Sequence, residues 1–246
     1  GVLRDTTTPP LSVGITRDFG NVKAATRRTE STNTQLLNLI VERTSPMEGS
    51  CYKTPPQSRP SVKAILCTRF GGPDDLELAE IPEPVAGPGE VVVKVAAVGL
   101  NFYDTLIIAG RYQKKPPFPF SPGGEFAGTV ESMGEGVSGF APGDRVIGYV
   151  TFGAAREKIA VATQKLVRLT ADLDYARAAG LTITYGTAYH ALIDRAQLKH
   201  GETLAVLGAA GGVGLAAVEL GKLLGARVIA CGSTNDKLEF ARQHGA

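Results

Sequence analysis

The pattern of apolar and polar positions divides the chain into three parts. Residues 1–60 are polar and rich in proline, and their one good apolar cluster lies at 36–41. From residue 61 to about 161, short apolar runs alternate with turns that contain Gly and Pro, which is typical of closely spaced β-strands. From about residue 174 the spacing becomes helical, and from residue 203 a strand, a helix and a second strand follow one another.

The middle part predicts six strands, at 62–67, 76–81, 91–98, 126–131, 145–150 and 159–161. Many short strands at such close spacing predict a compact β-barrel-like domain. The helical segment at about 174–195 would then carry the chain from this domain to the strand at 203.

A glycine-rich turn lies at the centre of the third part. An apolar strand at 204–207 is followed by Gly208, Gly211 and Gly214, then by a helical pattern at 215–224 and a second apolar run at 226–231. A strand, a glycine turn, a helix and a parallel strand within about 30 residues form the dinucleotide-binding unit. The spacing G-x-x-G-x-x-G differs from the more common G-x-G-x-x-G, so a tight strand–helix turn without a ligand is the alternative.

The glycines have a chemical reason in this unit. Gly208 allows a sharp turn, Gly211 has no Cβ to keep the backbone from a diphosphate, and Gly214 lets the helix pack close to its strand. The free N–H groups and the positive end of the helix would face the phosphates. We therefore predict cofactor contacts from seven consecutive residues, Gly208, Ala209, Ala210, Gly211, Gly212, Val213 and Gly214.

The end of the second strand favours NADPH over NADH. An Asp or Glu about 20 residues beyond the glycines would bind the ribose 2′-hydroxyl of NAD, but the chain has small residues there. Ser233 leaves room for a 2′-phosphate, and Lys237 supplies a positive charge one turn away. Asp236 is the counter-argument, although Ser233-x-x-Asp236 is also typical of a capping box.

Composition narrows the function classes. With 26 Lys and Arg against 24 Asp and Glu, the net charge is +2, and the basic residues form no patch for nucleic acid. No apolar run approaches the roughly 18 residues of a membrane span, and the first twenty residues contain no secretory signal. Three isolated cysteines indicate a reducing compartment without a disulfide framework. We therefore expect a cytoplasmic protein without nucleic-acid or membrane partners.

Residues 1–60 are predicted to be a mostly disordered extension with one short helix near 34–43. Their content of Arg and Ser partly fits a mitochondrial transit peptide, so the mitochondrial matrix is the alternative location. Their five acidic residues fit that alternative badly.

Five motifs together resemble the zinc-free quinone oxidoreductase branch of the medium-chain dehydrogenase/reductase superfamily; they lie at 101–104, 122–128, 143–146, 185–192 and 208–214. The resemblance covers residues 62–246. It implies a GroES-like β-barrel substrate domain at 61–185 and a Rossmann domain, a doubly wound parallel sheet, at 186–246. It further implies NADPH in the cleft between them and a homodimer for the full-length form.

The same resemblance bears on the reaction. Zinc-dependent relatives bind a catalytic metal through a Cys and the His of a Gly-His-Glu triplet, and the matching positions here are Asn101 and Gly124. Neither is a usable zinc ligand, and the remaining Glu125 does not make a metal site alone. Without a Lewis acid, hydride transfer suits an acceptor that is already electrophilic, namely a quinone or an α,β-unsaturated carbonyl.

Two residues are candidates for catalysis. Asn101 could hydrogen-bond the acceptor carbonyl or the cofactor, or it could merely cap a helix at 102–109. Thr187 matches a family position near the nicotinamide, or it could bond its own helix backbone. Relatives often have Tyr where this chain has Leu106, so a tyrosine proton donor is doubtful and Tyr103 is expected to pack in the core. His244 is expected on the surface near a helix end.

The third part is short for its fold. Residues 202–246 suffice for two strands and two helices, whereas a six-stranded Rossmann sheet needs far more. We therefore expect an incomplete Rossmann domain and weak NADPH binding by the 246-residue chain. Two other functions stay open, a non-catalytic NADPH-binding protein of the same fold and a zinc alcohol dehydrogenase.

Overall fold

The computed structural model describes residues 60–169 and 173–246. The extension predicted at 1–60 and its short helix near 34–43 therefore lie outside the described residues, apart from Pro60. Within the described ranges the chain forms nine strands and five α-helices.

The first seven strands form the β-sheet part of the molecule. Their bounds are β1 Ser61–Leu66, β2 Glu77–Pro82, β3 Glu90–Gly99, β4 Glu125–Met133, β5 Arg145–Tyr149, β6 Lys158–Ala162 and β7 Leu166–Arg168. β1 and β2 pair as an antiparallel hairpin, and the other five form one antiparallel sheet in the order β6-β3-β4-β5-β7. Six of these strands agree with the sequence pattern, and β7 was not predicted.

Alternation along the strands explains the core of this sheet. In β6, Ile159 and Val161 are buried and their neighbours are only partly covered, because successive side chains of a strand point to opposite faces. They pack with Val91, Val93 and the fully buried ring of Phe126 from the two central strands. One apolar cluster therefore holds the five strands together.

The sheet does not close on itself within the described residues, because β6 and β7 remain its two edges. The hairpin nevertheless lies against one edge. Ile65 N donates to the Ala155 carbonyl at 2.9 Å, and Glu157 N donates to the Lys63 carbonyl at 2.9 Å. The predicted class, a GroES-like β domain followed by a partial α/β unit, is confirmed, although the described strands do not form a closed barrel.

Three helices accompany the sheet: α1 Phe102–Ile108 connects β3 to β4, and α2 Tyr175–Ala179 and α3 Leu181–Tyr189 follow β7. A π-helical turn, His190–Arg195, continues α3. The predicted domain boundary at 185/186 falls inside α3 and stays a prediction. No helix in the described ranges is long and apolar enough to cross a membrane.

The α/β unit consists of β8 Thr203–Leu207, α4 Gly212–Leu223, β9 Arg227–Cys231 and α5 Asn235–Gln243. β8 and β9 pair in parallel, from Thr203 opposite Arg227 to Leu207 opposite Cys231. Val206, Val218 and Val228 form the centre of its core, where α4 covers one face of the strand pair. The predicted strand–helix–strand unit is therefore present.

One acidic side chain joins α3, α4 and the segment after α5. Glu219 of α4 accepts hydrogen bonds from the Tyr185 hydroxyl and, at 2.6 Å, from His244 Nδ1. Only 15% of the His244 side chain is exposed, so the expectation of a surface histidine was wrong. The sequence places His244 near a helix end, but its hydrogen bond to Glu219 of α4 turns it inwards.

The apolar cluster predicts a strong dependence of stability on Phe126. Phe126→Ala removes a fully buried ring, and we expect the free energy of unfolding to fall by about 3–5 kcal/mol. Val167→Ala, at a side chain that is 62% exposed, should change it by less than about 0.5 kcal/mol. Urea unfolding of both variants measures the difference, and equal effects would contradict this assignment of the core.

Candidate active site

The glycine turn joins β8 to α4. Gly208 has φ +65°, a left-handed conformation that favours glycine, and Gly211 N donates to its carbonyl at 2.9 Å. A Cβ at Gly214 would lie 2.2 Å from the Gly208 carbonyl oxygen, so only glycine lets α4 start this close to the strand. The turn has the shape that the sequence predicted.

Ser233 and Lys237 lie at the same edge as this turn. Ala209 N donates to the Cys231 carbonyl at 3.1 Å, which ties the turn to the end of β9. Lys237 Nζ donates to Ser233 Oγ at 3.1 Å. The pattern Ser233-x-x-Asp236 is also typical of a capping box, but in the structure Thr234 caps α5, and its hydroxyl accepts from Lys237 N at 3.4 Å.

These groups fit a dinucleotide phosphate. The first amides of a 12-residue helix have no partner within that helix, and Gly211 at its N-cap has no side chain to satisfy them. The helix dipole favours an anion at the same point. A second anion could bind the Lys237 ammonium beside the Ser233 hydroxyl.

A polar cluster surrounds the start of α1. Asn101 precedes the helix, and its backbone N–H donates to Asp104 Oδ2 at 2.8 Å. Asp104 Oδ1 accepts from Gly123 N at 3.2 Å. The side chain of Asn101 turns the other way, where Nδ2 donates to Glu125 Oε1 at 2.8 Å. The backbone of Asn101 thus contributes to the cap, while its amide belongs to a second contact.

Glu125 is the most buried charged residue of this cluster, with 1% of its surface exposed. Its second oxygen, Oε2, accepts from Ile183 N in the first turn of α3 at 2.7 Å. Burial raises the pKa of Glu125, although the bonds from Asn101 and Ile183 oppose that rise. Burial also raises the pKa of Asp104 to about 6, and the nearby Glu125 adds to the rise.

Tyr103 fills the space beside Gly124. A Cβ at Gly124 would lie 1.2 Å from the Tyr103 hydroxyl oxygen, so no larger residue fits there while the tyrosine keeps its position. The hydroxyl is buried and has no hydrogen-bond partner among residues 60–169 and 173–246. Burial raises the pKa of Tyr103, which keeps the phenol neutral. Its ring packs on Tyr112, as expected of a core residue.

Thr187, the other candidate, is exposed near the end of α3. Thr184 donates its hydroxyl to the Gly180 carbonyl at 2.7 Å. A bond of this kind to the backbone of its own helix was the alternative role for Thr187. The structure gives Thr187 no such bond within the described ranges. Its hydroxyl thus remains available to a ligand, and its role stays a prediction.

Sequence reasoning did not single out Asp104, and it gave Glu125 no role. Asn101-x-x-Asp104 has the spacing of a helix cap, which could have identified Asp104. Nothing local points to Glu125, because its partners lie 24 and 58 residues away.

Comparison with known proteins agrees with this geometry. The alcohol dehydrogenase GroES-like domain family matches residues 87–172. The quinone oxidoreductase of Homo sapiens is 37% identical over 187 residues, 75% of this chain and 57% of that protein. Quinone oxidoreductase-like protein 2 of Mus musculus is 42% identical over 186 residues, 75% of this chain and 52% of that protein.

A solved structure extends the agreement to three dimensions. The quinone oxidoreductase of Thermus thermophilus, whose structure is known with NADPH, matches with a TM-score of 0.66 and 40% identity. The match covers 75% of this chain and 58% of that protein. This chain belongs to the quinone oxidoreductase branch of the medium-chain dehydrogenase/reductase superfamily. It spans somewhat more than half the length of these relatives.

Within this family member, Tyr103 allows a test of its packing role. Tyr103→Phe removes a buried hydroxyl that has no partner in the described part of the chain, so we expect the free energy of unfolding to rise by about 1 kcal/mol. Urea unfolding measures it, with Tyr149→Phe at a 44% exposed ring as the control. A loss of stability from Tyr103→Phe would show that the hydroxyl makes a favourable contact.

Asp104 predicts a pH dependence of stability. Its pKa of about 6 in the folded chain exceeds the ordinary value of 3.8, so the folded form keeps a proton that the unfolded form has lost. The stabilisation is complete below about pH 4 and is lost as the pH rises through 6, by about 3 kcal/mol in total. Asp104→Asn should remove this decline in urea titrations at several pH values. An unchanged decline in the variant would assign it to other groups.

Proposed function

We propose that the protein containing this chain transfers hydride from NADPH to a quinone or another activated α,β-unsaturated carbonyl. The observation that carries the proposal is the juxtaposition of the glycine turn with Ser233 and Lys237 at one edge of β8 and β9. Family membership supports the reaction class, and the NADPH complex of the Thermus thermophilus relative supports the cofactor.

The cofactor would be held at two points. The amides of Gly212, Val213 and Gly214, at the start of α4, would bind the diphosphate, with Gly208, Ala209, Ala210 and Gly211 shaping the turn before them. Ser233 and Lys237 would bind the 2′-phosphate, which is the preference for NADPH over NADH that the sequence predicts. When bound, the nicotinamide supplies the hydride.

The acceptor class follows from the residues beside α1. Asn101 and Gly124 occupy the positions at which zinc-dependent relatives bind their metal, and Tyr103 fills the room beside Gly124. An amide and a neutral phenol are poor substitutes for a Lewis acid, so an ordinary ketone would stay unactivated. A quinone or an enone needs no such activation. We propose that Asn101 and Thr187 orient the nicotinamide and the acceptor.

The family and the sequence also bear on the partners and the location of the protein. A small-molecule acceptor is the partner that the family indicates, whereas the homodimer and the cytoplasmic location, with the mitochondrial matrix as alternative, stay predictions from sequence.

The test of function is NADPH oxidation by the full-length protein with a panel of quinones and enones. Stoichiometric oxidation with a quinone supports the proposal. Tight NADPH binding without turnover on any acceptor would favour the non-catalytic alternative, and oxidation of simple alcohols by a zinc-loaded protein would favour the alcohol dehydrogenase.

If Lys237 binds the 2′-phosphate, its removal should reduce the preference for NADPH over NADH. Lys237→Ala removes the ammonium beside Ser233, and we expect NADPH binding to weaken about tenfold or more while NADH binding stays unchanged. Lys222→Ala, at the opposite end of α4, is the matched control and should affect neither. Fluorescence titration with both nucleotides measures the ratio. Equal weakening of NADPH and NADH by Lys237→Ala would place the 2′-phosphate elsewhere.

A further inference from the structure

The first turn of α3 is capped by a side chain from a β-strand. Gly180, the residue before the helix, has no side chain that could accept from the first amides. Glu125 Oε2, at the start of β4, accepts from Ile183 N instead, and the Thr182 amide also bonds the carboxylate. A carboxylate at a helix N-terminus is also favoured by the helix dipole.

The other oxygen of the same carboxylate fixes the side chain of Asn101. Because Oε1 can only accept, the Asn101 amide must present Nδ2 to it, as the 2.8 Å contact requires. Glu125 therefore sets which way the amide of Asn101 faces. Reversing the amide would set two oxygens against each other.

We propose that Glu125 is a positioning residue that fixes the amide of Asn101 and the first turn of α3, and through that turn Thr187, relative to each other. Ile183 and Thr187 lie one helical turn apart on α3, so an anchor at the first sets the place of the second. The inference rests on the proposed function, in which Asn101 and Thr187 orient the nicotinamide and the acceptor.

The surroundings of Glu125 fit a carboxylate that is held in place. A Cβ at Gly99 would lie 2.6 Å from Glu125 Cγ and 2.5 Å from the Ala179 carbonyl, so glycine at this position makes room for the side chain. Among the described residues Glu125 makes no ion pair, and its hydrogen bonds come from Asn101 and the start of α3. Burying a charge is costly, and these donors supply the compensation.

Glu125→Gln is the informative variant, because it keeps the shape and removes one acceptor. The glutamine can still accept from Ile183 N, but its Nε2 then faces Asn101, whose amide must turn around. We expect kcat to fall about ten- to hundredfold with a smaller change in KM. Glu157→Gln is the matched control: its exposed carboxylate accepts from Lys63 N at 2.8 Å on β1, away from this cluster.

A double-mutant cycle with Asn101→Ala separates positioning from a general loss of structure. If Glu125 acts through Asn101, Glu125→Gln should lower kcat far less in the Asn101→Ala background than in the wild type. Full additivity of the two effects would overturn the inference. A wild-type protein that fails to oxidise NADPH with every quinone and enone tested would instead overturn the proposed function.

Amide hydrogen exchange tests the inference without any turnover. Exchange over Leu181–Tyr189 should become faster in Glu125→Asp, which is one methylene too short to reach both partners, and stay unchanged in Glu157→Gln. Protection of α3 equal to that of the wild type in Glu125→Asp would show that Ile183 needs no anchor, and would overturn the inference whatever the activity.

Discussion

The close approach of α4 to the end of β8 is the constraint on which the candidate site depends. The backbone can start a helix beside the Gly208 carbonyl only because residue 214 has no Cβ. The same approach brings α4 over the strand pair and lets the turn bond the end of β9. Ser233 and Lys237 thereby lie beside the helix N-terminus, so the positions for two phosphate groups follow from one packing requirement.

Much of the fold follows from local patterns, because alternation and glycine spacing are local properties. Six strands of the β-sheet part and the strand–helix–strand unit agree with the sequence predictions. The contacts of Glu125 and the burial of His244 could not be predicted, since each depends on packing between segments far apart in the chain. The cap of α5 could not be assigned from sequence for a smaller reason: Ser233 and Thr234 are both good caps, and the sequence does not choose between them.

The cluster around α1 explains how these side chains can be held in place without metal ligands. Tyr103 fills the room beside Gly124 by packing alone, with its hydroxyl neutral and buried. Glu125 keeps a carboxylate in the interior, and its two oxygens bind Asn101 and the start of α3. Packing and hydrogen bonds thus set the positions of side chains that a metal ion would otherwise organise.

The central claim is that one edge of β8 and β9 binds the cofactor through the glycine turn and Lys237. A crystal structure of the full-length protein with NADPH tests it most directly. The account predicts the diphosphate on the amides of Gly212, Val213 and Gly214, and the 2′-phosphate within hydrogen-bond distance of Lys237 Nζ and Ser233 Oγ. A cofactor whose diphosphate lies away from this turn, or whose 2′-phosphate does not contact Lys237, would contradict it.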